Sequence, residues 1–216
     1  MLTIYGVYRS RASRNLWLLE ELGMPFRHVP VIQPYRTASA PGMMHSRSPE
    51  FLKINPNGHV PSMDDDGLVL QESLAINLYI AKKHGGPLAP SSLAEDGQMT
   101  MWSLWAVTEV EALALQVMAH RVSKPQAERD PKLAQAGIDA LRAPFAVLDQ
   151  HLAGSGGWLV GKRFTVADIN LAEVVRYAQA APELFETAPH VKKWLAACQA
   201  RPAFKAMWAK RDAEPA

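Results

Sequence analysis

The chain has 216 residues, 48% of them hydrophobic and 20% charged, with a formal net charge of +2. That is enough apolar material for one large domain or two small ones; the charge is too small, and no Lys/Arg run long enough, to argue for a surface that tracks nucleic acid. The single cysteine, Cys198, excludes an intramolecular disulfide, a C-x-x-C redox pair and a cysteine-rich zinc site, and no run approaches the ~18 apolar residues of a membrane span.

The opening M-L-T-I-Y-G lacks a basic segment followed by a long apolar one, so no signal peptide is expected and a reducing, cytoplasmic setting fits. Leu2 to Val7 is short, apolar and β-prone, and reads as a first strand. Ser10 to Arg14 opens a helix carrying Leu16 and Leu19, which stops at Gly23 before Pro25. Phe26 to Val31 reads as a second strand, completing a βαβ unit with a parallel pair. Residues 32–48 form a polar loop longer than most connections, a candidate binding lip.

Asn55 to Ser73 is the most informative stretch. It opens with a turn, Asn55-Pro56-Asn57-Gly58, followed by an apolar run from Val60 to Met63. Pro61 cannot donate to a sheet ladder and belongs at a strand start or edge. A cis Val60-Pro61 bond is expected there, turning the Val60 amide and carbonyl outward for a ligand backbone. Asp66-Gly67 marks a tight hairpin turn. Leu68 to Leu70 ends at Glu72-Ser73, where a helical pattern begins with Leu74, Leu78 and Ala81 on one face. Gly85 to Ser92 is rich in Gly, Pro and Ser and reads as a linker.

Beyond the linker no strand pattern with turn signals recurs. Glu95 to His120 reads as one helical stretch, on which Trp102 and Trp105 could line an apolar pocket or the core. Asp130 caps a helix that starts at Pro131 and carries Ile138, Leu141, Phe145, Leu148 and Leu152, with Pro144 expected to kink it. Thr165 and Asp168 have capping-box spacing, with Phe164 and Ile169 placed for a hydrophobic staple. Two helices follow, about 189–200 and 202–210. The histidines show no metal-binding spacing, so no metal site is expected.

The turn after the first strand opens a helix, whose end favours negative charge. A dithiol protein would place C-x-x-C there, but this chain has Ser10-x-x-Ser13. A thiol, if used, must arrive on a ligand. Lowering a thiol pKa from about 8.5 by two units takes roughly 2.7 kcal/mol. One hydrogen bond to the charged form contributes about 1.5–3 kcal/mol, and a helix end about 0.3–1. One hydroxyl plus a helix end could therefore suffice without a general base.

These residues resemble the cytosolic glutathione transferases over nearly the whole chain, most firmly at 55–80 and 158–170. The V-P turn and Glu72-Ser73 are similar to the family's N-terminal domain, and Gly161 to Asp168 to its C-terminal folding signature. Ser10-Arg11-Ala12-Ser13-Arg14 resembles the serine-type theta, phi and zeta classes, whose catalytic serine falls on Ser10; Tyr5 and Tyr8 are alternatives, and a plain helix cap is the ordinary role for Ser10. Ala12 stands where the zeta class has cysteine. The resemblance implies an α/β thioredoxin-like domain at 1–84, a linker at 85–92 and an all-α C-terminal domain at 93–216.

Glutathione is the implied co-substrate, held by Val60, Glu72 and Ser73, with His59 and Arg47 contributing. His59 departs from the Gln or Lys often found there. The implied function is conjugation of the glutathione thiolate to a small apolar electrophile by a cytoplasmic homodimer without nucleic-acid or membrane partners. A glutathione-dependent isomerase or peroxidase, or a non-catalytic binding or assembly module on this fold, are the alternatives.

Overall fold

A computed structural model of the chain describes residues 1–38 and 40–214. They form two compact units, one of residues 1–86 together with the segment from Ala200 onward, the other of Pro87–Gln199.

The first unit is built on a four-stranded sheet ordered β2-β1-β3-β4, with β1 at Leu2–Tyr5, β2 at Arg27–Val29, β3 at Ser62–Asp65 and β4 at Leu68–Gln71. β1 runs parallel to β2, pairing Thr3 with Arg27, because helix α1 (Ser13–Leu22) makes the crossover between them. β3 runs antiparallel to both β1 and β4. Asp66 (φ 52°) and Gly67 (φ 96°) turn the β3–β4 hairpin. Two successive positive φ values match the right-handed strand twist that such two-residue turns require. The Val60-Pro61 bond is cis, as the sequence led us to expect.

Helix α2 (Pro49–Leu52) is capped by the Ser48 hydroxyl, which accepts from the Phe51 amide. Helix α3 (Ser73–His84) follows β4 directly. α1 packs against α3 and against the last helix, α10 (Pro202–Ala213). Every residue from Ser13 to Leu19 is buried. The sequence pattern offered a single apolar face through Leu16 and Leu19. The return of α10 covers the rest, setting Phe204 edge-on to the fully buried Trp17 at 4.9 Å.

The second unit is helical. α4 (Leu93–Trp105) runs through a π-helical turn at Ala106–Glu111 into α5 (Ala112–Met118), so the expected single stretch carries a register change. α6 (Pro131–Gly154) continues through Pro144, and its first-turn amides at Lys132 and Leu133 are accepted by Asp130. α7 (Val166–Val175) is buried at all ten positions. α8 (Pro182–Glu186) and α9 (Pro189–Ala200) complete the unit.

The capping box at the start of α7 is present and extends further than expected. One Asp168 oxygen accepts from the Thr165 amide and hydroxyl; the other accepts from the Leu159 amide and the Trp194 indole. Burial pushes this carboxyl up to about 6 against those four donors. Among the described residues, no helix is long and apolar enough to cross a membrane.

Candidate functional site

The site is organised around the end of β1. Gly6 has φ +144°, a conformation in which a side chain is strained. A Cβ there would lie 2.8 Å from Ala12 Cβ, 3.4 Å from Val60 Cβ and 3.6 Å from Ser10 Oγ. Gly6 is therefore the point where the chain leaving β1, the start of α1 and the cis-proline turn approach one another. This close approach brings Ser10 beside Val60, fifty positions apart in sequence.

Ser10 is half-buried. Its hydroxyl accepts from the Ala12 amide at 3.0 Å and donates to the Val7 carbonyl at 2.6 Å. The same carbonyl accepts the Ser10 amide at 3.1 Å. The hydroxyl proton can thus leave Val7 without orphaning that carbonyl. Val60 is partly exposed and, among the described residues, neither its amide nor its carbonyl makes a hydrogen bond. Its main chain offers one donor and one acceptor, as an extended ligand backbone needs.

His59 is exposed, with its carbonyl held by Asn55 Nδ2 at 2.7 Å. Arg47 lies over the same turn. A Cβ on Gly58 (φ +60°) would fall 2.8 Å from Arg47 Nη1, so only glycine lets the guanidinium settle there. At the other end of the hairpin Asn57 Nδ2 reaches Gln71 Oε1 at 3.2 Å, tying the turn to β4.

Glu72 follows β4 with φ 67° and ψ 107°, an outlier for a residue with a side chain. Such a conformation costs about 1–3 kcal/mol and is found where function holds it. It leaves the Glu72 side chain exposed and starts α3 at Ser73, which is buried. Arg14 Nη1 donates to Ser73 Oγ at 3.1 Å, so the serine hydroxyl keeps its own proton as a donor. Asn15 Nδ2 holds the Ser73 carbonyl at 2.8 Å and Asn77 Oδ1 at 2.7 Å, while Asn77 returns to the Arg14 carbonyl at 3.1 Å.

The tyrosine alternatives are placed differently. Tyr5 is half-buried, with its ring 6.4 Å from Phe51. Tyr8 sits edge-on to His28 at 5.2 Å, with Lys210 Nζ over its ring, and burial raises its hydroxyl above the usual tyrosine range.

Residues 4–88 match the family glutathione S-transferase, N-terminal domain, and residues 110–202 match glutathione S-transferase, C-terminal domain. Glutathione S-transferase GstB of Escherichia coli K12 is 30% identical, across 95% of this chain and 96% of its own. The chain belongs to the glutathione S-transferase family. A theta-class member from Xanthomonas axonopodis pv. citri, solved with glutathione bound, superposes with a TM-score of 0.80 at 28% identity and 95% coverage of each chain. Ure2p5 from Phanerochaete chrysosporium, cocrystallised with 1-(S-glutathionyl)-2,4-dinitrobenzene, gives 0.78 at 26% identity, over 98% of this chain and 95% of its own. The protein is a transferase enzyme with glutathione as co-substrate.

Three parts of this transferase's site were not singled out from the sequence. Gly6 carried no distinguishing signal, because a glycine after a strand is common. Arg14 was visible only as part of the serine motif. Asn15 and Asn77 carry no motif of their own, although Asn77 stands four positions after Ser73 and so on its face of α3.

Proposed function

We propose that Ser10 is the catalytic residue: its hydroxyl donates a hydrogen bond to the glutathione sulfur and stabilises the thiolate left when the thiol proton passes to solvent. The observation that carries this reading is the meeting of Ser10 and Val60 at Gly6. The Val60 main chain pairs with the tripeptide backbone. Ser73 donates to the γ-glutamyl carboxylate through the proton that Arg14 leaves it, and Glu72 pairs with the ammonium. Arg47 and His59 take the glycine end. The thiolate then attacks an electrophilic carbon: the C–S bond forms, and a leaving group departs or an activated double bond accepts the electron pair.

The electrophile in this reading is a small apolar molecule. The dinitrobenzene conjugate cocrystallised with the Phanerochaete relative supports that class. A homodimer belongs to the same reading, supported by the exposed apolar side chains of α4, Met101 at 51% and Leu104 at 60% exposure, and by Leu68 and Val69 on β4 at 43% and 41%. So does a cytoplasmic setting, which suits a lone, buried cysteine.

The test is calorimetric titration of glutathione into wild type and Ser73→Ala, beside conjugation to a halodinitrobenzene. Binding and turnover in wild type, with binding weakened at least tenfold in Ser73→Ala, support the site. Equal binding in both proteins would remove Ser73 from it.

A further inference from the structure

Residues 6–10 belong to neither β1 nor α1, so their backbone groups need partners from elsewhere. The Gly6 amide donates to the Val29 carbonyl at 3.0 Å, and the Gly6 carbonyl lies 2.7 Å from His28 Nε2. Val7 takes the two Ser10 bonds already described. Gln33 Nε2 donates to the Arg9 carbonyl at 3.3 Å. The Ser10 carbonyl accepts from the Ser13 amide at 3.2 Å, and the groups of Tyr8 and the Arg9 amide are met by the end of the chain. The Tyr8 and Arg9 amides donate to separate oxygens of the Glu214 carboxylate, at 2.7 and 2.8 Å. Arg211 Nη1 donates to the Tyr8 carbonyl at 2.6 Å, and Arg9 Nε donates back to the Arg211 carbonyl at 3.0 Å.

We propose that Glu214 is a positioning residue for the reaction. Its carboxylate fixes the Tyr8 and Arg9 peptides and, through them, the hydroxyl of Ser10. The inference rests on the reading of Ser10 as the catalytic residue.

Two features separate this role from simple anchoring of α10. Helix α10 is already docked by the bidentate Arg201–Glu21 pair, both bonds 2.7 Å, by Lys210 on Glu20, and by Phe204 on Trp17. Glu214 instead spends both oxygens on two consecutive amides of the loop that carries Ser10. Hydrogen bonds of an amide to a carboxylate are roughly twice as strong as neutral ones. Without them the Tyr8 and Arg9 amides turn toward water, and the next peptide, which carries Ser10, loses its fixed direction. A displacement near 1 Å at a reacting centre lowers turnover by about 100-fold.

The experiment compares full-length wild type, Glu214→Ala and Glu214→Gln. Amide hydrogen exchange at Tyr8 and Arg9, melting temperature, and kcat and glutathione KM against pH are measured for each. In Glu214→Ala the two amides exchange at least tenfold faster, kcat falls about 10- to 100-fold, glutathione KM stays within about twofold, and the kcat profile moves to higher pH. Glu214→Gln, which keeps one acceptor oxygen, recovers part of the loss, and so does sodium acetate added to Glu214→Ala. Unchanged kcat and profile in a folded Glu214→Ala would overturn the inference, as would kcat and KM losses that track a fall in melting temperature in both variants. A wild type without glutathione turnover sinks the Ser10 reading instead. The exchange rates then decide the brace by themselves.

Discussion

Replacing Ser10 by alanine removes one hydroxyl, and the structure sets how much that hydroxyl is worth. A hydrogen bond to a thiolate contributes about 1.5–3 kcal/mol. In this protein the proton is already given to the Val7 carbonyl at 2.6 Å, a neutral bond worth about 1 kcal/mol net. Val7 retains the Ser10 amide, so nothing further is lost when the proton turns. The net advantage of the thiolate is therefore about 0.5–2 kcal/mol, or roughly 0.4–1.5 pH units. That is less than the roughly 2.7 kcal/mol of a two-unit shift, so a shift of that size would need the end of α1 as well. Ser10→Ala is expected to move the midpoint of kcat/KM upward by about that amount, with activity at pH 7 falling roughly 2- to 30-fold. The loss shrinks above pH 9, where the free thiol is ionised anyway. The assay is initial-rate conjugation from pH 6 to 10 under saturating electrophile, with glutathione binding measured in parallel. An unmoved midpoint, with binding intact, refutes Ser10 as the group that stabilises the sulfur.

Other expectations follow from the packing. Gly6→Ala places a Cβ 2.8 Å from Ala12 Cβ at φ +144°, and is expected to cost about 2 kcal/mol in urea denaturation and most of the turnover; full stability would contradict the close approach. Asp168→Ala leaves the Thr165 and Leu159 amides and the Trp194 indole without their acceptor, and should cost about 3–5 kcal/mol and lower the melting temperature by about 10 °C. Because burial raises this carboxyl from 3.8 to about 6, the folded protein holds the extra proton between those values. Its contribution to stability falls as pH rises across that window and is flat outside it, a slope that Asp168→Asn abolishes. Glu95 behaves oppositely. The Arg163 guanidinium, at 2.6 Å, holds it down to about 2 from 4.5. Its contribution is complete above pH 4.5 and is lost as the pH falls toward 2; acid unfolding of Glu95→Gln should lack that component.

Much of the fold was legible locally. The Asp66-Gly67 turn, the cis bond at Val60-Pro61 and the Thr165–Asp168 capping box each depend on residues within a few positions, whose conformational preferences the sequence states directly. The resemblance built on Ser10, Val60, Glu72 and Ser73 was legible for the same reason, since each belongs to a short local motif. The partners of those residues were not. Asn15 meets Ser73 only because α1 lies on α3, and Ser10 nears Val60 only because Gly6 has no side chain. Glu214 reaches Tyr8 across 206 positions because α10 returns to cover α1. Local propensity determined which segments turn, cap and alternate. Which polar groups end beside the Ser10 hydroxyl was decided by long-range packing, because burial leaves each backbone donor and acceptor in the β1–α1 loop dependent on whatever the rest of the chain brings to it.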